Sequence, residues 1–144
     1  MDLTFQEKSI WTSLITTVVL FGIYFIMAFQ VLAIDDLSEV PAKFTIGALF
    51  TGVVIAFVVI EVVVHIVLAL SSPPEIEDER SKLISLKATR NAAIVLAIGV
   101  WLSFFGLAFT TYNPMIVAHL LLSFFIMAEI VRFSSKLIYF RMGV

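Results

Sequence analysis

The chain of 144 residues is 61% hydrophobic and only 14% charged, where soluble domains sit near 45–50% and about 25%. A formal net charge of -2 leaves no basic excess for nucleic acid, and the lack of cysteine removes disulfides, thiolate metal sites and thiol nucleophiles. The apolar excess is gathered in long runs, the pattern of an integral membrane protein rather than of a large soluble core.

Met1 to Ser9 is a short polar lead-in with Asp2, Glu7 and Lys8, suited to the membrane surface. The first span is predicted over about residues 10–32, with Trp11 at its edge as interfacial aromatics are placed. The run is longer than the ~7–15 residues of a signal-peptide core and no small-x-small cleavage site follows, so it is expected to be retained. Thr12, Ser13, Thr16 and Thr17 crowd its first two turns. Their hydroxyls either bond carbonyls of the same helix or form a polar face toward other helices. Residues 34–43 are a connection carrying Asp35, Asp36, Glu39 and Lys43, and Pro41 marks the turn before the next span.

The second span, residues 44–70, holds Glu61 and His65 as its only ionisable side chains. Gly47 and Gly52 near its start favour close helix contact, though not at GxxxG spacing.

Residues 71–91 are the one substantial polar stretch. Ser72-Pro73-Pro74-Glu75 reads as a helix start, because serine caps, proline suits the first turn and acids favour the positive end of the dipole. Ile76, Leu83 and Leu86 recur at helical spacing, and neither glycine nor proline interrupts the chain between Glu75 and Gly99. This polar helix is therefore expected to run directly into the third span, about residues 92–112. At ~1.5 Å per residue the whole piece is ~50 Å long, more than one ~30 Å hydrocarbon core. Asn113-Pro114 makes a tight turn. The fourth span covers about residues 115–133 and continues as an amphipathic end through Tyr139.

Lys and Arg alternate across the connections. Lys43 stands alone after the first span, whereas Arg80, Lys82, Lys87 and Arg90 follow the second. The turn after the third has none, and Arg132, Lys136 and Arg141 close the chain. The positive-inside rule then places both termini and residues 71–91 in the cytoplasm. The expected fold is an all-α integral membrane protein, one domain over residues 1–144. Its four transmembrane helices form an up-down bundle, with helix 3 extended into the cytoplasm. Val18–Phe25 and Val95–Leu102 align around Gly22 and Gly99, a likeness that low-complexity apolar sequence produces by itself.

Depth sorts the polar residues. Counted from the inner end of the second span, His65 lies ~8 Å and Glu61 ~14 Å into the membrane. Glu129 and Arg132 fall near the inner end of the fourth span and His119 near its outer end. His65 and His119 are then ~15 Å apart along the normal, which argues against one metal ion or one haem bridging them. No metal and no cofactor are expected. What remains is an intramembrane polar cluster in the inner leaflet: Glu61, His65, Glu129, Arg132, Arg90 and Asn91. It is either a structural network, with arginine neutralising the acids, or a proton-titrating or cation-binding site reached from the cytoplasm. His119 and Ser123 form a second polar pair in the outer half.

No Gly-rich phosphate loop, HExxH, GxSxG or paired-cysteine motif is present, so the chain is not expected to be an enzyme. Glu77-Asp78-Glu79-Arg80, followed by Ile84, Lys87, Ala88 and an apolar span, resembles the loop signature of small uncharacterised bacterial four-span membrane proteins. The resemblance implies a bacterial inner-membrane protein. Acids followed by bases on a helix that leaves the membrane suit docking, with Glu77, Asp78, Glu79 and Arg80 as the partner-facing loop. The functional expectation is a scaffold or regulatory subunit that binds a cytoplasmic protein. The alternative is a homo-oligomeric proton- or cation-linked transporter or channel built on the Glu61 cluster. The expected associations are the lipid bilayer, a second copy of the chain and that cytoplasmic partner, with no nucleic acid.

Overall fold

Apolar chain that must satisfy its own backbone hydrogen bonds in lipid folds as helix, and each of the apolar runs does so. A computed structural model describes residues 5–34, 40–71, 79–109 and 113–142, with the backbone alone for 32–34 and 40–43. The helices are α1 (Phe5–Ile34), α2 (Val40–Ser71), α3 (Glu79–Phe109) and α4 (Pro114–Met142). All four are long and apolar enough to cross a membrane, which fits an α-helical membrane bundle. Their lengths of 29 to 32 residues correspond to ~45 Å, so every helix outlasts a ~30 Å hydrocarbon core.

That excess carries each helix past its expected apolar span. The lead-in expected along the membrane surface is helical from Phe5, and Thr12 Oγ1 donates to the Lys8 carbonyl at 2.8 Å across its first turns. Helix α2 starts at Val40 rather than residue 44, with Pro41 inside the first turn, where its missing N–H has no intrahelical partner to lose. Residues 79–91 are the opening turns of α3, as the uninterrupted helical spacing predicts. Helix α4 runs unbroken past residue 133 to Met142. The proposed start at Ser72-Pro73-Pro74-Glu75 and the acids Asp35 and Asp36 lie outside the described residues, as does Glu39.

The chain divides into two compact units, Met1–Leu14 with Pro74–Val144, and Ile15–Pro73. In the first, α3 and α4 pack antiparallel. Gly106 of α3 lies against Val117 of α4, and Gly99 against Phe124. Near the other end Asn91 bonds Ser135 and Tyr139. Small residues recur along the buried stripe of α3: Ser81, Ala88, Ala92, Gly99 and Ser103. Small side chains four apart let helix backbones approach closely in lipid, where packing rather than water drives association. Gly99 sets the limit, since a Cβ built there would overlap Cβ and Cγ of Phe124.

In the second unit, α1 and α2 are held by aromatic pairs. Phe21 stacks obliquely on Phe57 at 5.7 Å and Tyr24 meets Phe50 edge-on at 5.8 Å, so the numbering runs in opposite directions along the two helices. Thr17, Phe21, Tyr24 and Ala28 form a buried stripe on α1, three to four residues apart as one helical face requires. Gly47 and Gly52, the expected contact glycines of α2, meet nothing within 4 Å of a built Cβ. Gly22 is equally open while Gly99 is tightly packed, so the two apolar segments that align around them are not equivalent in packing.

Candidate functional site

The six residues of the expected cluster are divided between the two units. Glu61 and His65 belong to the unit of α1 and α2; Arg90, Asn91, Glu129 and Arg132 belong to the unit of α3 and α4.

On α2, the Glu61 side chain is 17% exposed and that of His65 44%. His65 Nδ1 lies 2.8 Å from the Glu61 carbonyl and 3.4 Å from Glu61 Oε2. A carbonyl only accepts, so Nδ1 carries the proton and, on a neutral ring, Nε2 is the basic nitrogen. The four-residue spacing brings the two side chains onto one helix face.

On α4, Arg132 Nη2 donates to Glu129 Oε2, three residues earlier. The guanidinium also lies 4.8 Å from the Phe133 ring centre, a cation–π placement that lessens its need for water. Arg132 Nε is buried with no hydrogen-bond partner among the described residues. Arg90 is exposed and pairs with neither acid among the described residues.

Asn91 has partners that its expected cluster did not include. Its Nδ2 donates to Ser135 Oγ at 3.3 Å and to the Tyr139 hydroxyl at 3.0 Å, and Lys87 Nζ stands 6.0 Å from the Tyr139 ring centre. These are α3–α4 contacts in the polar ends of both helices. The available signal was the four-residue spacing of Ser135 and Tyr139, which puts a hydroxyl and a phenol on the same face of an otherwise apolar tail.

His119 and Ser123 do not bond through their side chains. His119 Nδ1 donates to the Met115 carbonyl at 2.8 Å, and Ser123 Oγ donates to the His119 carbonyl at 2.7 Å. The ring is buried in the helix's own polar ladder rather than aimed at a serine. Upstream, Asn113 caps α4: its Oδ1 accepts from Met115 N at 2.9 Å and its carbonyl from Ile116 N at 2.9 Å. Pro114 then occupies the first helical position.

Of the expected docking loop, Glu77 and Asp78 lie outside the described residues. Glu79 and Arg80 are exposed at the start of α3, and Arg80 Nη2 reaches the Phe140 carbonyl of α4 at a long 3.4 Å. No family model, curated protein or solved structure matches this chain. Beyond Arg80, Leu83 is 58% and Leu86 67% exposed. Both stand among the exposed Lys82, Thr89 and Arg90 on the part of α3 that precedes its apolar span. Among the described residues no three His, Asp or Glu side chains come together as a metal site.

Proposed function

We propose that the chain is a non-enzymatic four-span protein of a bacterial inner membrane, a scaffold or regulatory subunit. Its termini and residues 71–91 face the cytoplasm, and a cytoplasmic protein docks on the polar start of α3. The observation that carries this reading is the exposure of Leu83 and Leu86 beside basic side chains on a helical segment outside the apolar span. Two leucines three residues apart present one apolar face, and a partner helix with apolar anchors flanked by carboxylates would complement it. Packing of α3 against α4 supports the role, because a docking helix gains affinity when it is held rigid before binding.

A photo-crosslinking residue placed at Leu86 in intact membranes tests the proposal. One defined protein should be captured there, and Leu83→Glu or charge reversal of Glu77, Asp78 and Glu79 should abolish its capture. Capture that survives both changes would overturn the reading.

The transporter alternative draws on the acids placed within the spans of α2 and α4. Four helices leave little room for a pathway in one subunit, so that reading needs a homo-oligomer. Reconstituted vesicles would then show a proton or cation flux that Glu61→Gln abolishes. Equal flux from wild type and Glu61→Gln would exclude it. The local pairing of each acid with a base on its own helix favours the scaffold.

A further inference from the structure

The apolar span of α3 carries a groove of about 520 Å³, lined by Ile94, Ala97, Ile98, Trp101, Leu102 and Phe105. All six side chains are exposed. Ala97 makes the depression: its methyl group lies between the larger Ile94, three residues before it, and Trp101, four after it. The Trp101 and Phe105 rings pack on each other with centres 6.1 Å apart, so the far end of the groove has a preformed aromatic wall. Ile94 and Phe105 are eleven residues apart. At ~1.5 Å per residue that is ~16 Å, the depth of one leaflet of a ~30 Å hydrocarbon core. A groove of this length and composition fits one acyl chain.

Charge decides which lipid. Arg90 precedes Ile94 by four residues and Ala97 by seven, so it continues the face that bears the groove. It is exposed, and among the described residues its guanidinium has no hydrogen bond or ion pair. Lys87 is engaged elsewhere, 6.0 Å from the Tyr139 ring centre on α4. Glu79 is the one acid on α3 and stands eleven residues from Arg90, ~16 Å away. Helical side chains lean toward the N-terminus of their helix. That lean carries the Arg90 guanidinium out of the apolar span, which opens at Ala92, and into the polar layer of roughly 5–8 Å on that side of the bilayer. There its fork of N–H donors matches two oxygens of a phosphate.

We infer that this groove binds an anionic phospholipid, with one acyl chain along Ile94–Phe105 and the phosphate on Arg90. The site does not depend on protein docking at Leu83 and Leu86. Inorganic phosphate offers Arg90 the same oxygens, and the leaflet-long apolar groove beside it favours the lipid.

The test titrates the full-length protein in detergent micelles with phosphatidylglycerol or phosphatidylcholine and counts bound lipid by native mass spectrometry. Saturable binding of phosphatidylglycerol over phosphatidylcholine is expected. Arg90→Gln should weaken it about fivefold, the effect of one basic residue at an anionic surface, and Arg90→Lys should stay within about twofold of wild type. Lys82 stands eight residues before Arg90, ~12 Å along the helix and beyond the ~8 Å screening length at ~0.15 M salt. Lys82→Gln should therefore leave binding within about twofold of wild type. Ala97→Phe, which fills the groove without changing charge, should weaken binding about tenfold, the loss of roughly two buried methylenes. Val100→Phe adds similar bulk at an exposed position of α3 outside the groove and should bind as wild type does. Circular dichroism and elution volume should be those of wild type in every variant. Equal effects of Arg90→Gln and Lys82→Gln, equal effects of Ala97→Phe and Val100→Phe, or displacement of the lipid by inorganic phosphate at matching concentration would each overturn the assignment.

Discussion

Replacing Gly99 by alanine adds one methyl group at the closest point between α3 and α4. The new Cβ would fall inside the van der Waals envelope of Phe124 Cβ and Cγ. Trimming the ring does not relieve the overlap, because the nearest atom is the Cβ that every residue but glycine carries. Restoring an ordinary carbon separation of ~3.5–4.0 Å requires the two helices to part along their seam. Overpacking of this kind costs ~1–3 kcal/mol. Helix propensity acts in the opposite direction, since alanine is favoured over glycine by ~1 kcal/mol in a helix interior. Gly106 isolates that second effect. It lies on the same helix, and a Cβ there meets only Val117 Cγ2 at an ordinary 3.6 Å. Gly99→Ala should therefore be less stable than Gly106→Ala by about 1–3 kcal/mol, the overpacking cost alone, because both variants share the propensity gain. Reversible unfolding by sodium dodecyl sulfate in mixed micelles, followed by the fluorescence of Trp101 on α3, measures the difference. Equal midpoints for the two variants would mean that α3 does not approach α4 at Phe124, and the antiparallel pairing described above would have to be abandoned.

Three further outcomes follow from the hydrogen bonds. Asn91→Ala removes two α3–α4 bonds and should destabilise by about 1–3 kcal/mol; Tyr139→Phe removes one and should cost less, with a nonzero coupling in the double-mutant cycle. Arg132→Gln should cost about 1–3 kcal/mol in the same assay, between the values for exposed and buried pairs, because it strands the Glu129 charge. Adding Glu129→Gln should recover part of that loss; a double variant less stable than Arg132→Gln would contradict the pairing. Asn113→Ala deprives α4 of its cap and should cost ~1 kcal/mol, whereas Asn113→Asp should retain most of the wild-type stability.

The helices are legible in the sequence because apolar length is a strong signal; their ends are not, because two different boundaries are involved. Hydrophobicity marks where the hydrocarbon stops. The helix stops where its backbone ladder meets a cap or a turn. Gln6–Lys8, Arg80–Asn91 and Phe133–Tyr139 are polar enough to leave the membrane and still continue the ladder. This also explains Asn91. Depth alone sets it beside Glu129, but both helices extend beyond the apolar spans, so its neighbours are Ser135 and Tyr139 on the tail of α4. The seam of α3 carries small residues four apart in two pairs, Ala88 with Ala92 and Gly99 with Ser103, a pattern present in the sequence. Which glycine is crowded is not legible there, since Gly52 and Gly99 look alike until the partner helix supplies Phe124.

The placement of charge separates chemistry inside the membrane from chemistry at its edge. Glu61 is answered by His65 four residues on, and Glu129 by Arg132 three residues on. In both pairs the acid is N-terminal to the base, the order that the helix dipole favours. A partner on the same helix is available as soon as that helix forms, before any other helix packs against it. Each span can therefore enter lipid with its acid already accompanied, lowering the desolvation cost that an isolated carboxylate would impose. An acid–base pair on one helix meets the needs of insertion and packing. The proposed partner is expected instead at the polar start of α3, where Leu83 and Leu86 are exposed beside basic neighbours.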